Sequence, residues 1–207
     1  MPVRSERVSP AASARRAQIV QASICALAEF GYAGTSFAKI ADTAEISSTR
    51  LISYHFDGKD DLMAAVVEQI VETAVQFMTP RIAAEGEYWG RVSTYITSNL
   101  EFLCQHPQQL RALTEIRNFA RTAGGVSLVD AVSSAGAVAG MHALLLGGQQ
   151  AGEFGDFDTH VMAVTIRAAI DAAGIRYATG MESELGGYAE QLVRLFGRAV
   201  LVDATRC

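Results

Sequence analysis

The chain has 207 residues, half of them hydrophobic and 19% charged, which is the composition of an ordinary globular protein and excludes a fibrous or largely disordered one. Its net charge of −5 does not by itself indicate a nucleic-acid-binding protein, but residues 1–56 carry +2 while the remainder carries −7. A mildly basic head on an acidic body fits a protein that contacts phosphate at one end only.

Apolar residues recur at helical spacing along most of the chain, and β-branched residues nowhere alternate as strands require. Residues 1–12 are predicted to be disordered. Gly31 stands where the first helix ends, Thr35 or Ser36 caps the second helix, and Ser47 caps the third. The fold class is therefore all-α. About nine helices are predicted, over residues 13–30, 37–44, 47–54, 59–80, 88–106, 107–121, 138–150, 161–179 and 183–202.

Several classes of protein do not fit the sequence. The three cysteines are far apart and lack a CxxC pair, and the four histidines lack metal-ligand spacing, so neither a disulfide framework nor a metal site is predicted. The first 16 residues lack the apolar stretch of a secretory signal. The uncharged run 131–152 contains five glycines and several polar residues, too many for a membrane span. We expect a soluble, cytoplasmic protein that uses no cofactor.

The third predicted helix carries the most distinctive side chains. Its exposed face offers Ser47, Ser48, Thr49, Arg50 and Ser53, which are small hydrogen-bonding residues around one arginine. Two short helices joined by a tight turn present the second helix to a DNA major groove, and such residues suit contacts with base edges and phosphates. A solvated polar turn on the surface is the alternative interpretation of the same residues.

A family resemblance favours the DNA-binding interpretation. Residues 14–67 resemble the N-terminal domain of the TetR family of bacterial regulators, element by element and at several fixed spacings. The residues that carry the resemblance are Arg16 with Ile19, Phe30-Gly31-Tyr32, Gly34-Thr35-Ser36, Ile40-Ala41, Ser47, Tyr54-His55-Phe56, and Lys59 with Leu62. The resemblance implies an N-terminal helix-turn-helix domain over residues 13–58 and an effector-binding and dimerisation domain over residues 59–207.

The resemblance also implies roles for individual side chains in contact with double-stranded DNA. The residues expected to hold phosphates are Thr35, Ser36, Tyr54 and Lys59. The residues expected to reach bases are Ser48, Thr49, Arg50 and Ser53, with His55 at the rim. Two features depart from the family. Glu45 occupies the turn position where glycine is usual, and the stretch from Ile46 to Tyr54 is one residue longer than in many members.

The last two predicted helices are apolar over more than one face, so each needs more than one partner. Burial within a single chain is one explanation. The resemblance implies another, a homodimer in which these two helices from each subunit form a four-helix interface. The residues assigned to it are Ile170, Tyr177, Leu185, Tyr188, Leu192, Leu195 and Phe196. A charge at Leu192 is then expected to split the dimer. Residues 148–155 resemble a recurrent family pattern between the seventh and eighth helices.

The helices before this pair enclose an effector pocket in the family. The residues assigned to the pocket are Trp89, Tyr95, Phe102, Asn118, Phe119, Met141, His142, Leu145, Met162 and Ile166, with Arg117 as a further candidate. Each of them also fits a plain core position, and a core histidine satisfied by its neighbours is the alternative for His142.

The sequence thus predicts a dimeric repressor that leaves a palindromic operator when a small-molecule effector binds. An effector-independent repressor or an activator is the alternative. A small all-α enzyme is a remote third, because no GxSxG motif, paired carboxylates, phosphate loop or metal cluster is present, and no catalytic residue is predicted.

Overall fold

The computed structural model describes residues 9–202, and within that range it contains nine α-helices and no β-strand apart from two isolated bridges. The predicted all-α fold is confirmed. In chain order the helices are α1 (Pro10–Gly34), α2 (Phe37–Thr43), α3 (Thr49–His55), α4 (Lys59–Ala83), α5 (Tyr88–Gln105), α6 (Pro107–Phe119), α7 (Leu128–Gln150), α8 (Thr159–Ala178) and α9 (Gly186–Val200).

Both ends of α1 have a clear local cause. Ser9 caps its beginning by accepting a hydrogen bond from the Ala12 N–H, and Pro10 occupies the first turn, where no backbone donor is needed. The helix therefore begins inside the stretch predicted to be disordered, while residues 1–8 lie outside the described part of the chain. Near its end Gly31 has φ +67°, so the regular helix stops there, as its glycine predicts, and residues 32–34 form a turn.

The seventh helix differs most from its prediction. It begins at Leu128, ten residues before the predicted start. Its first half is rich in Ser, Gly and Ala, and the residues on its inner face are small, so the apolar period that reveals a helix in the sequence is weak there. The boundaries of α8 and α9 lie within three residues of those predicted, and Asp158 caps α8 as expected.

The connection between α7 and α8 is held by four hydrogen bonds. The Glu153 carboxylate accepts hydrogen bonds from the backbone N–H groups of Tyr88 and Trp89, at 3.1 and 3.0 Å, and so satisfies the first turn of α5. The Gln149 amide donates to the carbonyls of Gly155 and Phe157. These bonds hold the segment between α7 and α8 against the start of α5.

The helices enclose two hydrophobic cores. The first joins α1–α4 to parts of α5 and α6, and its members include Ile24, Ile52, Met63 and Ile116. The second lies between α5, α7, α8 and α9. The first core thus crosses the predicted domain boundary at residues 58 and 59, since residues on both sides of that boundary are buried in it.

Helices α4 and α7 are long and apolar enough to cross a membrane by length and composition alone. Helices packed inside a bundle meet the same criterion, and both contribute buried residues to the cores, among them Met63 and Ile70 of α4 and Met141 and Leu145 of α7. This property is therefore weak evidence for a membrane segment.

Candidate nucleic-acid interface and cavity

Helices α2 and α3 form a compact pair at one end of the molecule. Ile40 and Ile52 are fully buried, and they anchor the two helices on the first core. The turn between the helices is closed by a hydrogen bond of 3.0 Å from the Ile46 N–H to the Ala41 carbonyl. Glu45 lies in this turn with φ +52°, so the residue that replaces the family glycine has the left-handed backbone that glycine adopts most readily.

The face of α3 opposite Ile52 is polar and exposed. Ser47, Ser48, Thr49, Arg50 and Ser53 are all exposed, as is Tyr54, at 79% of its maximum. Among the residues that the structure describes, the Arg50 guanidinium has neither an ion pair nor a hydrogen-bond partner. The groups predicted to read DNA therefore lie together on one accessible surface, with their donors and acceptors largely free.

The serine that caps α3 is Ser48, and the prediction of Ser47 was wrong by one residue. The Ser48 hydroxyl accepts a hydrogen bond of 3.2 Å from the Arg50 N–H, whereas Ser47 precedes the helix and is exposed. Ser36 caps α2, as one of the two predicted alternatives, and accepts from the Lys39 N–H at 3.2 Å.

Thr35 and Lys59 serve the turn between α1 and α2. Thr35 is only 2% exposed, and its hydroxyl donates to the Gly31 carbonyl at 2.7 Å. The Lys59 ammonium donates to the carbonyls of Tyr32 and Thr35, at 2.8 and 2.9 Å, and lies 3.9 Å from the centre of the Tyr32 ring. The Thr35 hydroxyl is thus not available for a phosphate, and Lys59 has at most one donor free.

Burial lowers the pKa of the Lys59 ammonium, and the neighbouring Asp60 opposes that effect. The same surroundings raise the pKa of Tyr32, again chiefly through burial and secondly through Asp60. Both groups therefore belong to the packed turn that supports the helix pair.

His55 is half-buried. Its ring meets the Tyr54 ring edge-on, with 5.1 Å between the ring centres, and its carbonyl accepts a hydrogen bond from Arg16. Arg16 also lies 4.2 Å from the centre of the Phe56 ring. Arg16 therefore holds the end of α3 against α1. Arg50, on α3 itself, is not used in this way.

A cavity of about 470 Å³ lies between α4, α5, α6, α7 and α8. Its wall is mainly apolar, with Ile70, Met78, Leu110, Leu113 and Val132 among the residues that form it. A volume of roughly 300–1,000 Å³ is usual for sites that bind small molecules.

Only two of the ten residues assigned to a pocket, Tyr95 and Phe102, line this cavity. The cavity faces the first half of α7, where small residues leave room, whereas the prediction chose the second half. The other eight do not line this cavity, and they are Trp89, Asn118, Phe119, Met141, His142, Leu145, Met162 and Ile166.

Those eight residues have other surroundings. Met141, Leu145 and Ile166 are buried in the second core, and Trp89 and Met162 pack against it. Asn118 and Phe119 are exposed at the end of α6, where the Phe119 ring stacks on Tyr32 with 6.0 Å between the ring centres. His142 is half-buried and its ring meets that of His160, with 6.0 Å between the centres.

One part of the cavity wall is charged. Arg117 pairs with Asp130 and lies 3.7 Å from Asp171. Arg167 pairs with Asp171 at 2.7 Å and also donates to the Asn99 amide oxygen at 3.1 Å and to the Tyr95 hydroxyl at 3.3 Å. Burial alone would lower the pKa of Arg167, but Asp171 and Tyr95 outweigh it and raise that pKa. We call Arg117, Asp130, Arg167 and Asp171 the charged cluster.

Of the charged cluster, only Arg117 is a candidate from the sequence alone. A signal for two others was present, because Arg167 and Asp171 stand four residues apart in an otherwise apolar helix and so share one face. Charged residues at that spacing inside an apolar pattern indicate a buried pair.

Four of the seven residues assigned to a dimer interface are already buried within this single chain. They are Ile170, Leu185, Leu192 and Phe196, all members of the second core. Tyr177 and Tyr188 are half-buried against the same core. Leu195 alone of the seven is open, at 60% exposure. These four residues therefore pack within the subunit, because the inner faces of α8 and α9 lie against α5 and α7 in the second core.

The outer faces of these two helices carry other apolar side chains. On α8, Val161 and Val164 are exposed. Together with Leu195 of α9 they form what we call the α8–α9 outer face.

The helix-turn-helix segment matches a known family. The family model described as "Bacterial regulatory proteins, tetR family" matches residues 19–66, which include all of α2 and α3. The HTH-type transcriptional regulator BetI of Paraburkholderia phymatum is 32% identical over 88 residues, which cover 42% of this chain and 44% of that protein. The helix-turn-helix segment of this chain therefore matches the TetR family over residues 19–66. The chain spans less than half the length of this curated relative.

Solved structures of TetR-family proteins share the whole fold. A TetR transcription regulator from Haloarcula marismortui is 26% identical, with a TM-score of 0.80 over 92% of this chain and 100% of that one. The regulator FadR from Bacillus subtilis, solved in complex with stearoyl-CoA, is 18% identical, with a TM-score of 0.77 over 86% of this chain and 96% of that one. At the second identity the likeness concerns the fold alone.

Proposed function

We propose that this chain is a DNA-binding transcriptional regulator, and specifically a dimeric repressor that a small-molecule effector releases from a palindromic operator. The observation that carries the proposal is the exposed polar face of α3 around the unpaired Arg50. Within a family of bacterial regulatory proteins, such a face has the geometry of a recognition helix.

In this proposal α3 enters the major groove. Arg50 reaches a guanine edge, where an arginine forms two parallel hydrogen bonds, and Thr49 and Ser53 contact neighbouring base edges. The Tyr54 hydroxyl and the exposed hydroxyls of Ser36 and Ser47 contact phosphates, which fixes the register of the helix without reading sequence. Ser48 contributes by capping the helix.

Dimerisation places two copies of α3 on the same side of the duplex. The α8–α9 outer face supports this arrangement, because apolar side chains that the single chain leaves exposed become buried when two copies meet there. Two copies of a recognition helix read the half-sites of a palindrome about 34–36 Å apart, which is one turn of DNA.

The cavity supports the effector part of the proposal. Helix α6 provides Leu110, Leu113 and Arg117 to the cavity wall, and from the same helix Glu115 holds the turn that precedes α2 by accepting the Tyr32 N–H at 2.7 Å. A ligand that binds better to one position of α6 than to another shifts the position of the helix pair, and hence the spacing of the two recognition helices.

The test is a fluorescence-anisotropy titration of the protein against the DNA upstream of its own coding sequence. Arg50→Ala is expected to weaken specific binding by about 1–3 kcal/mol, or roughly 5- to 150-fold, because the bonds to a base are lost. Arg111→Ala is the matched control, since Arg111 is exposed on α6 and its loss removes the same charge. Equal affinities of the two variants for the true operator would refute the role of Arg50.

A further inference from the structure

The charged cluster is balanced within the cavity wall. It contains two guanidinium groups and two carboxylates, and apart from Tyr95 the wall has no other ionisable side chain. Its members are drawn from three helices, with Arg117 from α6, Asp130 from α7, and Arg167 and Asp171 from α8. The part of the cavity that a polar ligand group can meet is thus formally neutral.

The pairing in this cluster leaves particular atoms free. All recorded contacts to Asp130 and Asp171 involve the Oδ1 atoms, so each Oδ2 has no partner among residues 9–202. The Arg117 Nη2 atom lies 3.7 Å from Asp171 Oδ1, which is too long for a hydrogen bond. The cluster therefore has both acceptors and a donor to offer at the same place.

Two neighbouring hydroxyl groups and one amide group already form hydrogen bonds within the protein. Ser133 donates to the Val129 carbonyl and Thr114 donates to the Leu110 carbonyl, each within its own helix. The Asn99 amide donates to the Tyr95 carbonyl and accepts from Arg167. A polar group on a ligand therefore finds free partners at Arg117, at the two aspartates and at the buried Arg167 Nε atom, which has no hydrogen-bond partner among the described residues.

We propose that the cavity binds an uncharged, mainly apolar molecule with one group that both donates and accepts a hydrogen bond, such as a hydroxyl, placed between Arg117 and Asp171. An ion of either sign would add an unmatched charge to a wall whose charges already cancel, and it would lose its hydration on entering an apolar cavity. A hydroxyl satisfies the free donor and a free acceptor without that cost. The inference concerns the ligand of the effector site and rests on the proposed function in that respect.

The test is direct binding of three probes with one body and different head groups, measured by calorimetry at pH 7 on the full chain. The probes are 4-phenylbutan-1-ol, 4-phenylbutanoate and 4-phenylbutan-1-amine. The alcohol is expected to bind at least about tenfold more tightly than either ion. The proposal is overturned if either ion binds as tightly as the alcohol, or if the alcohol does not bind up to its solubility limit.

Two variants with altered charge make the test specific to the cluster. Arg117→Gln leaves the wall with one excess negative charge and is expected to bind the ammonium probe better than the carboxylate. Asp130→Asn leaves one excess positive charge and is expected to show the opposite preference. Arg111→Gln, outside the cavity, is the matched control and keeps the wild-type order. A thermal melt checks that each variant folds, and either folded variant alone is sufficient, because an unchanged order of the probes in it contradicts the proposal.

The location of the ligand can be tested at Gly140, which lies in the cavity wall. A Cβ atom added at Gly140 meets no atom within 4 Å, so a larger side chain fits there without disturbing the fold. Gly140→Leu is expected to reduce alcohol binding at least about tenfold by filling the cavity. Unchanged binding in a variant that melts like the wild type would place the alcohol elsewhere and overturn the proposal.

Failure of this inference differs from failure of the proposed function. If the alcohol binds as expected but does not change the affinity for operator DNA, the proposed ligand preference of the cavity is supported. The proposed role of the cavity as an effector site is then contradicted. If the protein binds the operator but the ionic probes bind more tightly than the alcohol, the proposed DNA-binding function is supported and the proposal of an uncharged ligand is contradicted.

Discussion

At the scale of single residues, two backbone positions show how local chemistry shapes the regions around the proposed DNA-binding and effector sites. Glu45 has a left-handed backbone in the turn between α2 and α3, although its side chain has no hydrogen-bond partner among the described residues. Asp158 caps α8, and its Oδ1 atom accepts hydrogen bonds of 2.9 Å from the N–H groups of His160 and Val161. A prediction about the stability of the folded protein follows from each of these two residues.

Glu45→Gly is expected to stabilise the protein by about 0.5–1 kcal/mol. A left-handed residue with a Cβ costs roughly 1–2 kcal/mol, and the greater freedom of glycine in the unfolded chain returns about 0.5–1 kcal/mol of that gain. Urea unfolding measures the effect. Glu45→Ala is the control, because it removes the same carboxylate but retains the Cβ. A glycine variant no more stable than the alanine variant would contradict the assigned strain.

Asp158 predicts a pH dependence. The hydrogen bond from the Val161 N–H, helped by that from His160 and by the nearby histidines, holds the pKa of this carboxyl below its ordinary value of 3.8. The lowered pKa in the folded state means that the ionised carboxylate stabilises the fold above pH 3.8 and that this contribution is lost as the pH falls through the folded pKa.

Asp158→Asn keeps a capping oxygen but has no charge to lose. Wild type is therefore expected to be more stable than Asp158→Asn at pH 7, and the difference should shrink as the pH falls below 3.8. Urea unfolding of both proteins between pH 7 and pH 3 measures the difference at each pH. A difference that does not change over that range would show that the carboxylate charge plays no part.

At the scale of elements, α6 uses one face to line the cavity and another to pack against α1. One face lines the cavity through Leu110, Leu113 and Arg117. The other packs against α1, where Glu115 accepts the Tyr32 N–H and Phe119 stacks on the Tyr32 ring. The helix therefore touches both the cavity and the turn before α2, and the contacts of Glu115 and Phe119 with Tyr32 link the two.

Glu115→Ala is expected to destabilise the protein by about 1.5–3 kcal/mol, because a bond from a backbone N–H to a carboxylate is lost and the half-buried Tyr32 donor has no replacement partner. Urea unfolding gives the change in free energy, and amide hydrogen exchange at Tyr32 shows whether the loss is local. Glu115→Gln retains an acceptor and should lose much less. If Gln and Ala variants are equally unstable, the hydrogen bond is not the cause.

At the scale of the whole molecule, the two cores divide the surface of α8 and α9 into an inner and an outer face. Leu192 is 7% exposed and fills the second core, so a charge there is expected to unfold the chain rather than to split a dimer. This corrects the expectation based on the sequence. The outer face is where a second copy can be tested.

Leu195→Asp is expected to convert the proposed dimer to a monomer, because it places a charge in the apolar α8–α9 outer face. Light scattering measures the mass, and operator affinity should fall with it. Val126→Asp is the control, since Val126 is equally an exposed apolar residue but lies in the loop before α7. A Leu195→Asp protein that remains dimeric would show that subunits meet elsewhere.

Much of the fold could be predicted, since it depends on local patterns. The helix ends at Gly31 and Asp158 follow from residue type, and the helix pair at residues 37–55 follows from short apolar periods around a turn. The beginning of α7 could not be predicted this way, because apart from Val129 and Val132 its first half presents mainly Ser, Gly and Ala to the cavity, and the apolar period is weak. Which of the adjacent Ser47 and Ser48 caps α3 depends on their backbone angles, and the residue types, being the same, do not reveal those angles.

The sequence by itself determined the all-α architecture, the resemblance of the N-terminal segment to the TetR family and the polar face of α3, because each depends on residues close together in the chain. Only the tertiary structure decided which apolar faces meet. It buries Ile170, Leu185, Leu192 and Phe196 within one chain, and it places the cavity beside the first half of α7. It also brings together four charged residues from three helices, which are Arg117, Asp130, Arg167 and Asp171. An apolar helix with two faces fits several partners equally well, and only the packing of the other helices selects among them.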